Sequence, residues 1–149
     1  MNRILPYLML LLLVAACSPK IPLRTGMVNC ISHDRMTITL ESHSQAETQQ
    51  KAARFAEINA LNNLLFKGIP NSNQEKPMIA NEQLAKSANT AFFERFIEGN
   101  GYQAFITTSQ TLEDYEQKKI HFVKQKIIFD LTNLRNHLQS NGVTKKFGL

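Results

Sequence analysis

The stretch from Ser44 to Pro70, SQAETQQKAARFAEINALNNLLFKGIP, constrains the fold more than any other part of the chain. Ser44-Gln45-Ala46-Glu47 reads as a capping box: the serine oxygen accepts from the amide three residues on, and Glu47 reaches back to the Ser44 amide. The helix this predicts runs to Phe66 or Lys67. It stops where Gly68 takes the left-handed conformation, Ile69 folds back on the last turn and Pro70 forbids continuation. On a 3.6-residue wheel Ala46, Ala53, Ala60 and Leu64 share one side with Ala56 and Leu61, and Phe55, Ile58 and Leu65 lie across from them. A helix apolar on two sides is sandwiched. The alanine side allows close approach to a sheet, and the larger side faces a second helix or a partner.

The flanking segments supply that sheet. MVNCI (27–31) and RMTITLES (35–42) read as strands joined through the turn formers SHD. In the second, Met36, Ile38 and Leu40 point one way and Thr37, Thr39 and Glu41 the other, the period of a half-buried strand. After the polar loop 71–77, a second helical region is expected from Asn81 to Glu98, ending at GNG. Its apolar residues are Leu84, Ala88, Ala91, Phe92, Phe93, Phe96 and Ile97, and Phe92 and Phe96 mark the core-facing stripe. YQAF (102–105) adds one more turn. FITTSQTLE (105–113) and KIHFVKQKIIFDL (119–131) read as strands connected by the charged DYEQK. The last helix places Leu131, Leu134 and Leu138 on one face, capped by Thr132 or Asp130, and closes at Asn141-Gly142. Phe147, in the tail VTKKFGL, is a candidate to dock. Strands joined by turns, with helices on a face, predict an α+β domain: an antiparallel sheet of about four strands in the order β-β-α-α-β-β-α.

The chain start says where the domain resides. Arg3 followed by the apolar run Ile4–Val14 and then Ala15-Ala16 has the layout of a secretory signal. Ile4 to Ala16 is well short of the roughly 20 residues that span a bilayer as a helix. Val14-Ala15-Ala16-Cys17 resembles a bacterial lipobox, in which an acyl chain such as palmitate is attached to the cysteine before cleavage ahead of it. A plain secretory signal, with Cys17 kept for a disulfide, is the competing reading. The expected organisation is therefore a signal peptide at 1–16, the lipidated Cys17 with an extended tether to 26, and one α+β domain at 27–149. The formal charge of +5, from 17 basic and 12 acidic residues, fits anionic headgroups, glycan or an acidic partner, and most simply a solvated surface. An exported lipoprotein meets little nucleic acid, so none is expected as a partner. With Cys17 acylated, Cys30 has no intrachain partner and is expected to be a buried, inert strand thiol.

Chemistry-bearing residues do not assemble into a motif. Cys30, His33, Asp34 and His43 are close in sequence, but Cys30 and His33 flank a turn and no orienting group accompanies them. The same residues lack the paired spacing of a metal site, and His121 and His137 stand alone. Glu94 and Glu98 share a helix face that reads as solvated. Gly99 and Gly101 follow a helix rather than open one, which is wrong for a phosphate cradle. No catalytic residue, metal or cofactor is expected. Phe92, Phe93, Phe96 and Tyr102, with Phe105, cluster more tightly than any other aromatic group. They read as core, with a groove for peptide, glycan or lipid as the alternative. Lys118, Lys119, Lys124 and Lys126 form a basic stretch that reads as an exposed or edge-protecting strand face.

The lipobox, ITLESHSQAETQQKAARFAEINALNNLLFKGIP, FFERFIEGNGYQAF and KQKIIFDLTNLRNHLQSNGV together resemble a group of small predicted outer-membrane lipoproteins of Bacteroidetes-type bacteria. The resemblance covers nearly the whole chain after Cys17 and brings no catalytic residues with it. The order of elements is also broadly similar to α/β domains in small envelope lipoproteins and flagellar assembly proteins, where the domain serves contacts between proteins. Ser18-Pro19-Lys20 lacks the acidic residues that commonly mark such lipoproteins for the cell surface. The resemblance thus implies an anchor at the outer membrane facing the periplasm, with bilayer contact through acylated Cys17 and an envelope protein as partner. The function expected is a non-catalytic accessory or protein-interaction module.

Overall fold

The computed structural model describes residues 26–145. The segments expected to be signal peptide and, for the most part, tether lie outside the described residues with Cys17, as does Phe147. Two β-hairpins are joined by a helical middle segment. Strands β1 (Val28–His33) and β2 (Thr37–Ala46) are followed by helices α1 (Gln49–Phe66), α2 (Glu82–Ala88) and α3 (Thr90–Phe93). Next come a wide turn at Glu94–Glu98 and a tight 3-10 turn at Gly101–Phe105, and the chain closes with strands β3 (Ile106–Gln117) and β4 (Ile120–Asp130) and helix α4 (Leu131–Ser140). The fold is α+β, with a four-stranded sheet in the order β1-β2-β4-β3 and every neighbouring pair antiparallel. The element order is the expected one, with the second helical region divided into two short helices.

One face of the sheet is covered and the other is open. Ile38, Leu40, Ser42 and Ala46 on β2, and Val123, Gln125, Ile127 and Phe129 on β4, are buried against the helices. α1 lies across these central strands, and the Ser42 hydroxyl donates to the Ala56 carbonyl at 2.8 Å. That short reach needs a small residue on the helix, which is the use of the alanine side. On its other side Ile58 and Leu65 share the main core with Phe93, Phe96, Ile97 and Ile79. The helix is sandwiched, as its two apolar sides require. Leu131, Leu134 and Leu138 of α4 are fully buried in the same core, each worth roughly 1.5–3 kcal/mol of transfer free energy.

The ends of the elements combine agreement with correction. α1 stops at Gly68, whose φ is +83°; its amide and that of Lys67 both return to the Asn63 carbonyl, and Ile69 is buried. A Cβ on Gly68 would meet the Glu75 carbonyl oxygen at 1.9 Å, so only glycine fits. α4 begins at Asp130, whose side chain accepts from the Asn133 amide at 2.9 Å. The capping box at Ser44–Glu47 is not used, because β2 continues to Ala46 and pairs there with His121. The cap is Thr48, which accepts from the Lys51 amide at 3.2 Å. The charged DYEQK is strand rather than turn: β3 runs to Gln117, and the reversal is made by Lys118 and Lys119, with φ of 51° and 65°. The second helical region is not continuous, since α2 ends at Asn89 and Leu84 stands 65% exposed. Met36 precedes β2 and is exposed rather than sharing the stripe of Ile38 and Leu40.

Candidate functional site

Two surfaces stand out once the core is assembled. The first is an aromatic groove where the helical middle segment meets α4. α3 and the wide turn bring Phe92 over Phe96, stacked at 5.1 Å with an 18° angle between rings. The wide turn closes with the Gly99 amide on the Glu94 carbonyl at 2.9 Å, an i to i+5 bond of the kind often found at functional positions. Asn100, at φ 61°, reverses the chain. The 3-10 turn then sets Phe105 at 5.9 Å from Phe96. The last turn of α4 lays His137 among them, at 4.9 Å from Phe105 and 5.6 Å from both Phe92 and Phe96. Together with Arg95 and Asn141 these rings line a groove of about 450 Å³. It is an apolar floor with a half-buried imidazole and a guanidinium at its edge.

The four aromatics singled out in the sequence divide between roles. Phe92 and Phe96 line the groove, Phe92 half-buried and Phe96 nearly covered. Phe93, 6% exposed, packs into the core against Phe66. Tyr102 is completely buried and donates to the Glu57 carboxylate at 3.2 Å. That carboxylate also accepts from Gln103 at 3.3 Å and Ser109 at 2.7 Å, tying α1 to the 3-10 turn and to β3. Burial pushes the Tyr102 hydroxyl well above its ordinary range, and the neighbouring Glu57 charge pushes it further. Tyr102 is thus a structural anchor, unlike Phe92. His137, read from sequence as isolated, is the group that completes the groove. Its one sequence signal is a position beside Leu138 on the edge of the apolar stripe of α4.

The second surface is β3. Among the described residues this edge strand pairs with β4 alone, and every residue from Thr107 to Gln117 is exposed. Its register shifts twice, between Ile106 and Thr108 and between Thr111 and Glu113, the bulging that edge strands use against indiscriminate pairing. Between Ile106 and Gln117 it carries Glu113, Asp114 and Glu116 and no basic residue. Leu112 and Tyr115 are exposed, and Tyr115 stacks on Phe122 of β4 at 5.1 Å. The basic stretch answers this strand in part: Lys124 bonds Glu113 at 2.6 Å, which raises its pKa above the usual lysine range. His121 bonds Asp114 at 3.2 Å.

The cysteine–histidine group does not converge. Cys30 is opposite Leu40 and packs half-buried against the main core, where desolvation raises its thiol pKa. His43 bonds Glu41 at 3.0 Å through Nε2, both at register positions on the open face. Asp34 is occupied by the Met36 and Thr37 amides. No three His, Cys, Asp or Glu side chains among the described residues are grouped to hold a metal ion. Comparison with protein-family models, curated proteins and solved structures finds no match to this chain.

Proposed function

We propose that this chain is a lipoprotein anchored through acylated Cys17 at the outer membrane and facing the periplasm, whose folded domain is a non-catalytic interaction module for an envelope protein. β3 is the observation that carries the reading. A long, exposed, acidic edge strand offers main-chain donors and acceptors to an extended segment of a partner, the mode called strand addition. Glu113, Asp114 and Glu116 favour a partner strand bearing lysine or arginine. The anchor rests on the leader and Cys17. No helix among the described residues is long and apolar enough to cross a membrane, so Cys17 is where the proposal puts the attachment.

Two experiments test the two halves separately. A photo-crosslinking residue at Gln110 should capture a reproducible envelope protein in intact cells, while the same residue at Asn136 on α4 should not. Equal yields at both positions, or bulk lipoproteins alone, would remove β3 as the docking edge. Cys17→Ser is expected to lose its lipid and leave the membrane fraction, and unchanged retention would refute the anchor.

The aromatic groove supports a second reading, in which the domain binds the apolar part of a peptide, glycan or lipid. Phe92, Phe105 and His137 surround a space large enough for such a group. Saturable changes in the His137 ring signals on titration with one of these ligand classes would favour it. An unresponsive ring would retire it.

A further inference from the structure

We propose that the aromatic groove binds a free apolar acid, with its hydrocarbon part on the rings of Phe92, Phe105 and His137 and its carboxylate on Arg95. This assignment rests on the groove being a ligand site, the second reading above, and names the class of ligand. The three rings are each half-buried, so part of every one stays open to the groove they line. Their closest approach to one another, 4.9 Å between Phe105 and His137, makes a continuous apolar floor. Covering such a floor with a hydrocarbon chain removes apolar surface from water on both sides.

The charge around the floor selects the head group. Arg95 is exposed and lines the same groove. Its Nε donates to the Ala91 carbonyl at 3.2 Å, and its two terminal amino groups make no hydrogen bond or ion pair among the described residues. Those two groups form a fork that matches a carboxylate oxygen for oxygen. The His137 ring nitrogens are also without a partner among the described residues, so the imidazole supplies a further donor. The acids of the same segment lie elsewhere: Glu94 and Glu98 line the crevice beside Ile58, and no described acidic residue lines the groove. The carbonyls of His137, Leu138 and Gln139 at the end of α4 are already taken by the Asn141, Val143 and Gly142 amides, which mutes the negative end of that helix. The local field therefore favours an anion. A phosphate monoester, with up to two charges and three acceptor oxygens, would leave oxygens without donors here. A protein C-terminus ending in an apolar residue presents the same carboxylate, but it brings backbone amides for which ring walls offer no partner. A free acid on a hydrocarbon chain has neither difficulty.

The test titrates the isotopically labelled full chain in detergent and follows amide and side-chain NMR shifts. The probes are hexanoate, its neutral isostere hexanamide, and N-acetyl-leucine, which stands for a protein C-terminus. Hexanoate should give saturable shifts at the His137 ring, the Ala104 amide and the Arg95 side chain, with a Kd in about the millimolar range expected for so small a ligand. Hexanamide should bind about three- to tenfold more weakly. Arg95→Gln, at an exposed position, should weaken hexanoate by the same factor and leave hexanamide unchanged. Arg95→Lys keeps the charge without the fork and should recover only part of the loss. Equal affinity for hexanoate and hexanamide, or hexanoate binding indifferent to Arg95→Gln, would overturn the acid assignment and leave the groove reading standing. No saturable response to any of the three probes would remove both. N-acetyl-leucine binding more tightly than hexanoate would overturn the free acid in favour of a protein C-terminus.

Discussion

Asp34 closes the β1–β2 turn with its side chain. Its carboxylate accepts from the Met36 and Thr37 amides, each at 2.7 Å, and from the Thr37 hydroxyl at 2.9 Å. These bonds, led by that from the Thr37 amide, hold its pKa below the usual aspartate value. The folded carboxyl therefore titrates lower than the unfolded one, and its stabilisation is complete above the ordinary value. It disappears as pH falls through the lower folded value. Asp34→Asn is expected to lower the urea midpoint at neutral pH, with the two proteins converging once the pH has fallen below the lowered folded value; a gap that persists in acid would assign the effect to packing instead. Single residues of this kind are partly legible in sequence. Asp34 was readable as a turn former, although Ser32 and His33 of the same SHD run in β1 and the turn is made by Asp34, Arg35 and Met36; Gly68 was readable as a helix stop, because each acts on its immediate neighbours. His137 and Glu57 were not, since what each touches belongs to a different element.

At the level of elements, local pattern competes with distant pairing. Ser44–Glu47 has the residues of a capping box, yet β4 claims the same stretch as strand, and the helix begins four residues later at Thr48. Thr48→Ala should cost about 1 kcal/mol in chemical denaturation. Ser44→Ala, at a half-exposed strand position, should change stability by less than about 0.5 kcal/mol; the reverse order would restore the capping box. The β3–β4 turn was misplaced for a related reason. β3 is exposed on both faces, so it shows no alternation of apolar and polar residues, and its charges imitate a loop. The turn itself forces Lys118 and Lys119 into the left-handed region, where lysine is a poor choice. Replacing the pair with Asn-Gly should raise stability by about 1 kcal/mol, read as a higher denaturation midpoint. No gain would mean that the lysines make compensating contacts. The buried faces of β2 and α4 were legible because each has a clear period and a covered side, whereas α1, apolar on two sides, has no such period, and Phe55 packs with Ala52 and Val123 on the sheet side rather than across from the alanines.

For the whole molecule the decisive fact is the order β1-β2-β4-β3. The class could be read from the succession of elements, but the adjacency of β2 and β4 could not, because nothing local records it. Their ladder joins residues as remote as Thr37 and Asp130, so the centre of the sheet is its least local pairing, and closing it carries the loop entropy of most of the domain. A ribosome-tethered chain ending at Gln117 should accordingly remain protease-sensitive throughout, and protection should appear in one step only after β4 and α4 have emerged. A stable fragment spanning β1 to α1 would contradict this. The order of synthesis thus delays folding: the last strand made fills the middle of the sheet, and until it arrives the apolar sides of α1 have no complete core to enter. Were the chain exported as proposed, that delay would keep it translocatable for as long as translation lasts.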